Sequence, residues 1–113
     1  MKITRLSDIG IALLFAIAST AAAAADLPTH TVVARDGRLQ PNLLEVPAGV
    51  RFKIVIRNEG HDAIEFESRR LRKEKVLGPG ASSFVVIAPL KPGEYDFFDE
   101  FHAATAQGRI VAR

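Results

Sequence analysis

Residues 26–113 predict an all-β fold, an antiparallel Greek-key sandwich of seven or eight short strands, and three observations carry that reading. Apolar residues recur with period two more often than with period 3.6, the spacing of half-buried strands. Gly, Pro, Asn and Asp turn signals break the chain into short runs. No run longer than about nine residues has an amphipathic helical pattern. Short alternating runs each have one apolar face to bury, and two sheets packed face to face bury them all.

The runs follow in order. Thr29 to Arg35 is the first strand, closed by the turn pair Asp36-Gly37. Leu43 to Val46 is a short second strand, stopped by Pro47, Ala48 and Gly49. Arg51 to Arg57 alternates most clearly, with Phe52, Ile54 and Ile56 on one face and Arg51, Lys53 and Arg57 on the other. After a turn at Asn58-Glu59-Gly60, the stretch Ala63 to Glu67 points Ile64 and Phe66 inward and Glu65 and Glu67 outward. Ser68 to Val76 is rich in charge and reads as one helical turn or an irregular edge. Leu77-Gly78-Pro79-Gly80 is a turn, Ser82 to Ile87 a strand, Pro89 to Gly93 a turn and Glu94 to Phe98 a strand. A last strand runs through Gly108, Ile110 and Val111.

The first 25 residues read as a secretory signal and not as part of the fold. Lys2 and Arg5 form a basic start, Ile9 to Ala18 an apolar centre, and Ala21 to Ala25 a small-residue cleavage site. Retention as an anchor is the alternative, but Ile9 to Ala25 is short and alanine-rich for a span that wants about 20 strongly apolar residues. Cleavage after Ala25 leaves one domain, 26–113, large enough for a single core. It also removes Lys2, Arg5 and Asp8, so 15 basic and 13 acidic residues fall to 13 and 12, a net charge of +1. Such a balance argues against nucleic acid as a partner.

Cysteine is absent, and the single methionine is Met1. Every thiol-based catalytic, redox or zinc-ribbon reading is therefore excluded, and stability must come from packing or partly from a metal. No nucleophile elbow, Ser-His-Asp spacing or phosphate-cradling glycine loop marks a hydrolase.

The stretch from Gly93 to Val111 resembles the C-terminal ligand loop of cupredoxins, small β-sandwich copper proteins. In that loop a Cys ends one strand, a His follows three residues on, and a Met comes roughly five later. Here those places hold Asp99, His102 and Gln107. PNLLEVPAGVRFKIVIRNEG and GPGASSFVVIAPLKPGEYDFF resemble the strands that bring the family's two ligand clusters together. The segments EFES (65–68), EK (74–75), PLKPGEYDFF (89–98) and DEFH (99–102) are similar to the cupredoxin-like domain of bacterial periplasmic iron-uptake systems. That resemblance implies a periplasmic protein binding iron, copper or both. It implies as partners a membrane iron permease and other periplasmic uptake components. It transfers a metal-binding role to Glu65, Glu67, Glu100 and His102, with Asp99 and His61 as neighbours. Where ordinary cupredoxins place an upstream His two residues before an Ile-x-Phe strand, this chain has Asp62, and His61 lies one position early.

Ligand type sets the chemistry. Without a thiolate a type 1 copper centre is excluded, whereas carboxylates with one or two imidazoles suit Fe(II), Fe(III), Mn(II), Cu(II) or Zn(II). Anionic oxygens favour the ferric ion over the ferrous one, so Fe(II) oxidation is the one reaction the set would promote, and ferroxidase and metallochaperone both remain open. Each residue also has an ordinary reading: His102 as a hydrogen-bonded loop histidine, Glu65 and Glu67 as a solvated strand face, and Asp99 as a strand end emerging into water. Asp99 shares parity with Tyr95 and Phe97, so a charge there needs a partner. A metal-free interaction module is the competing function. A homodimer sharing a cation between two carboxylate clusters is a further arrangement the residues allow.

Overall fold

The computed structural model describes residues 27–113, and the stretch 1–25, read above as a secretory signal, lies outside them. Nine strands follow in order: β1 (Thr29–Arg35), β2 (Arg38–Gln40), β3 (Leu43–Val46), β4 (Phe52–Asn58), β5 (Ile64–Ser68), β6 (Lys73–Leu77), β7 (Ser82–Ile87), β8 (Gly93–Asp99) and β9 (Gln107–Ala112). One 3-10 turn, Glu100–His102, separates β8 from β9. The strands form two sheets, ordered β2-β1-β4-β7 and β3-β9-β8-β5-β6. The β-sandwich read from the sequence is thus present. Most pairings are antiparallel, but β1 runs parallel to β4 and β3 parallel to β9.

The alternation of the sequence becomes the two faces of each sheet. In β4, Phe52, Ile54, Ile56 and Asn58 are buried while Lys53, Val55 and Arg57 face outward. In β8, Tyr95, Phe97 and Asp99 are buried, and in β9 Ile110 and Ala112. The Phe66 and Phe97 rings meet at 5.4 Å in the middle of the core. Each fully buried Phe or Ile contributes about 1.5–3 kcal/mol by leaving water, so this interior supplies most of the driving force.

Two turns need special backbone. Asp36 and Gly37, at φ 53° and 72°, make the two-residue link between β1 and β2, where positive φ at both positions matches the twist of a hairpin. The charged stretch 68–76 is neither a helical turn nor irregular. Arg72, at φ 56°, donates its N–H to the Arg69 carbonyl at 3.1 Å, and the chain returns as β6 to pair with β5. The gain of a full ladder with β5 outweighs the mutual repulsion of like charges in this run.

At one pole of the sandwich the β1–β2 hairpin, the β4–β5 connection and the β8–β9 turn come together. Asn58, buried at the end of β4, organises that pole. Its Nδ2 donates to the carbonyls of Asp62, Gly78 and Leu77 at 2.8, 3.1 and 3.2 Å, and its Oδ1 accepts the Gly60 N–H at 3.0 Å. Thr105 in turn ties the β8–β9 turn to the Gly37 carbonyl.

Candidate functional site

Asp99 is the one buried acidic or basic side chain among the described residues, at 1 % exposure. Strand parity places it inward, and β8 ends on it as the N-cap of the 3-10 turn. The cost of burying a carboxylate is met by three donors. Oδ1 accepts the Glu65 N–H from β5 at 2.9 Å and the Phe101 N–H at 3.0 Å. Oδ2 lies 2.6 Å from Nδ1 of His102. Since that oxygen can only accept, Nδ1 carries the ring proton.

His102 is therefore oriented by Asp99, and its other nitrogen, Nε2, turns toward Oδ2 of Asp62 at 4.0 Å. His61, exposed beside Asp62, lines the same small cavity of about 90 Å³ with Asp36, Asp62, Asp99 and His102. Asn58 fixes this upstream loop through the Asp62 carbonyl.

A second group lies on the outer face of the β5–β6 hairpin. The register sets Glu67 directly opposite Glu74 and Glu65 opposite Val76. Carboxylate oxygens of Glu65, Glu67 and Glu74 all lie within 4.8 Å of one another, close enough for one cation. Partial removal from water, then the negative charges of Glu74, Glu67 and Glu100, and a hydrogen bond with Glu74 hold the Glu65 carboxyl above its ordinary value. Among the described residues, one cationic side chain forms ion pairs with this group: Arg69 lies 3.7 Å from Glu67 and 3.6 Å from Glu100, and also covers the Phe98 ring at 4.9 Å.

The predicted residues thus fall into two sets. Glu65 and Glu67 come together on the sheet face, with Glu100 at the rim of their field. Asp99 and His102 come together at the pole, with His61 on the wall of the same cavity. Glu74 is a member of the acidic set that sequence reasoning did not single out. Its signal was present in the EK pair of the 74–75 segment, but only the β5–β6 register shows that it meets Glu67.

The family model for the cupredoxin-like domain matches residues 9–112. The chain belongs to this family. An uncharacterized protein of Rickettsia prowazekii (strain Madrid E) is 40 % identical over 80 residues, 71 % of this chain, and the alignment spans 64 % of that relative's length. Auracyanin A, a "blue" copper protein from Chloroflexus aurantiacus, superposes with a TM-score of 0.67 at 12 % identity, covering 78 % of this chain and all of the other. Reduced auracyanin from Roseiflexus castenholzii gives 0.63 at 16 % identity over 75 % and 96 % of the two chains. A purple cupredoxin from Nitrosopumilus maritimus gives 0.56 at 15 % over 74 % and 99 %. These likenesses establish the cupredoxin fold, and membership points to the metal-binding and electron-transfer proteins built on it.

A type 1 copper ion does not fit the residues at this cupredoxin-like pole. The place of the thiolate holds Asp99, a hard oxygen donor with three hydrogen bonds already made. The imidazole Nδ1 is engaged with that carboxylate. Gln107, in the place of the thioether, is exposed and donates to the Ala103 carbonyl at 2.7 Å. The carboxylates of Glu65, Glu67 and Glu74 do fit a hard cation, since all three offer oxygen and lie within reach of a common centre.

Proposed function

We propose that this cupredoxin-like protein is an exported, periplasmic metal-binding module of iron uptake. In this reading its cargo site is the carboxylate cluster of Glu65, Glu67 and Glu74, with Glu100 supplying further negative charge. The observation that carries the reading is the crowding itself: three carboxylates converge within 4.8 Å on a face where Arg69 is the cation that pairs with the group, and the Glu65 carboxyl is raised above its ordinary value. A cation relieves that repulsion, and an all-oxygen anionic set favours iron over soft copper, with Fe(III) held more strongly than Fe(II). Copper as Cu(II) remains a competitor of the same borderline class, and His102 with Asp62 is the donor set that would take it.

Two roles follow from such a site, ferroxidase and metallochaperone to a membrane iron permease. Oxidation needs an electron acceptor, and dioxygen, a Cu(II) ion or a partner protein would each serve. Anaerobic calorimetric titration with Fe(II), followed by stopped-flow oxidation in air, separates the roles. Binding with accelerated oxidation identifies a ferroxidase, and binding without acceleration a chaperone. A protein that binds no Fe(II) above background, and whose Glu67→Gln/Glu74→Gln variant behaves as wild type, would refute the proposal and leave a metal-free interaction module.

A further inference from the structure

The family to which the chain belongs implies a metal at the pole, and the residues there do not fit one of type 1 kind; the disagreement has its own content. The structure assigns Asp99 a different role. With His102 it forms a carboxylate–imidazole latch that closes the β8–β9 turn where the related ligand loops carry their metal donors, and that fixes His102 with Nε2 outward.

Four observations converge on this. Asp99 is the buried carboxylate of the described chain, and its Oδ1 joins β5, through the Glu65 N–H, to the 3-10 turn, through the Phe101 N–H. Its Oδ2 takes the imidazole at 2.6 Å. The His102 carbonyl in turn accepts the N–H of Ala106 at 2.9 Å and of Thr105 at 3.1 Å, and the Ala106 carbonyl accepts the Asp99 N–H at 2.9 Å. The turn is thereby closed on itself by protein atoms alone.

A metal between Asp99 and His102 would have to displace the Nδ1 proton and break the shortest of these contacts. The latch also decides which nitrogen is available at the pole. A histidine that donates Nδ1–H to a fixed carboxylate keeps its lone pair on Nε2, and here that atom faces Asp62 and the cavity shared with His61. Asp99 is thus a positioning residue acting through His102. The latch stands apart from the carboxylate cluster, and neither depends on the other.

The test is the tautomer. Long-range ¹H–¹⁵N correlation spectra of the full protein should show neutral His102 as the Nδ1–H form, with its Nδ1 proton protected from exchange. One equivalent of Zn(II), chosen because it is diamagnetic, should leave that proton in place. In Asp99→Asn the amide can still accept the Glu65 and Phe101 N–H groups, but its NH₂ then faces His102, and the ring should switch to the Nε2–H form. A structural role without orientation would leave the tautomer unchanged. Wild-type protein showing the Nε2–H form, or losing the Nδ1 proton with the first equivalent of Zn(II), would overturn the assignment. Both wild-type readings hold whether or not the Asn variant folds.

Discussion

Replacing Gly108 by Ala tests how the β8–β9 turn is held against the core. Gly108 lies opposite Phe97 in the β8–β9 ladder, and a Cβ built there would meet the Phe97 ring at 2.5 and 2.6 Å and the Asn42 carbonyl oxygen at 2.8 Å. Ordinary carbon contacts sit at about 3.5–4.0 Å, so the overlap is on the order of 1 Å against two partners. Neither can yield easily. Phe97 is 1 % exposed and backed by Phe66, and the Asn42 oxygen is fixed by the Arg109 N–H at 2.9 Å. Overpacking of this kind costs about 1–3 kcal/mol. The stiffer unfolded chain returns about 0.4–1 kcal/mol. A net loss of roughly 1–2 kcal/mol corresponds to a melting temperature lower by roughly 5–15 °C for a domain of this size. Circular dichroism melts of both proteins, apo and at equal concentration, provide the assay. A variant that melts at or above the wild type would refute the packing argument.

Three further outcomes are expected. Asn58→Ala removes a buried side chain with four hydrogen bonds and should cost roughly 2–4 kcal/mol in urea unfolding, because carbonyls of two connections lose their donor. The pH dependence follows from Glu65, whose raised carboxyl binds its proton more tightly in the folded state, so this group's contribution falls as pH rises from the ordinary carboxylate range through the raised value. The apo protein should lose stability in that window, less so in Glu65→Gln, as read from urea midpoints across pH. Arg69→Ala removes a guanidinium that pairs with Glu67 and Glu100, and exposed pairs of this kind are worth about 0.2–1 kcal/mol each. Its Fe(II) affinity should therefore rise roughly two- to tenfold in calorimetry.

Much of this molecule was legible in the residues. Period-two alternation marked Thr29–Arg35, Leu43–Val46 and Ser82–Ile87 with the bounds the structure gives them, because each has a single apolar face and a strong turn signal at its end. The parity of Asp99 with Tyr95 and Phe97 raised a buried carboxylate beside a strand end emerging into water, and the structure buries it. Three things were not legible. β6 alternates Lys and Glu with little apolar content, so its strand character comes from the ladder with β5 and not from its own sequence. The partner of Asp99 depended on a bend: strand parity sends His102 to the other face, and the 3-10 turn brings it back within 2.6 Å. The parallel placements of β1 and β3 likewise depend on how the two sheets share the first strands, which no local pattern encodes.

Iron handling by the carboxylate face is tested most directly by a crystal of the wild-type protein soaked with Fe(II) under nitrogen and measured on both sides of the iron absorption edge. An anomalous peak is expected among the Glu65, Glu67 and Glu74 carboxylates, with the Asp99–His102 contact intact. No iron at the carboxylates would contradict the cargo site, and a peak between Asp99 and His102 would contradict the latch.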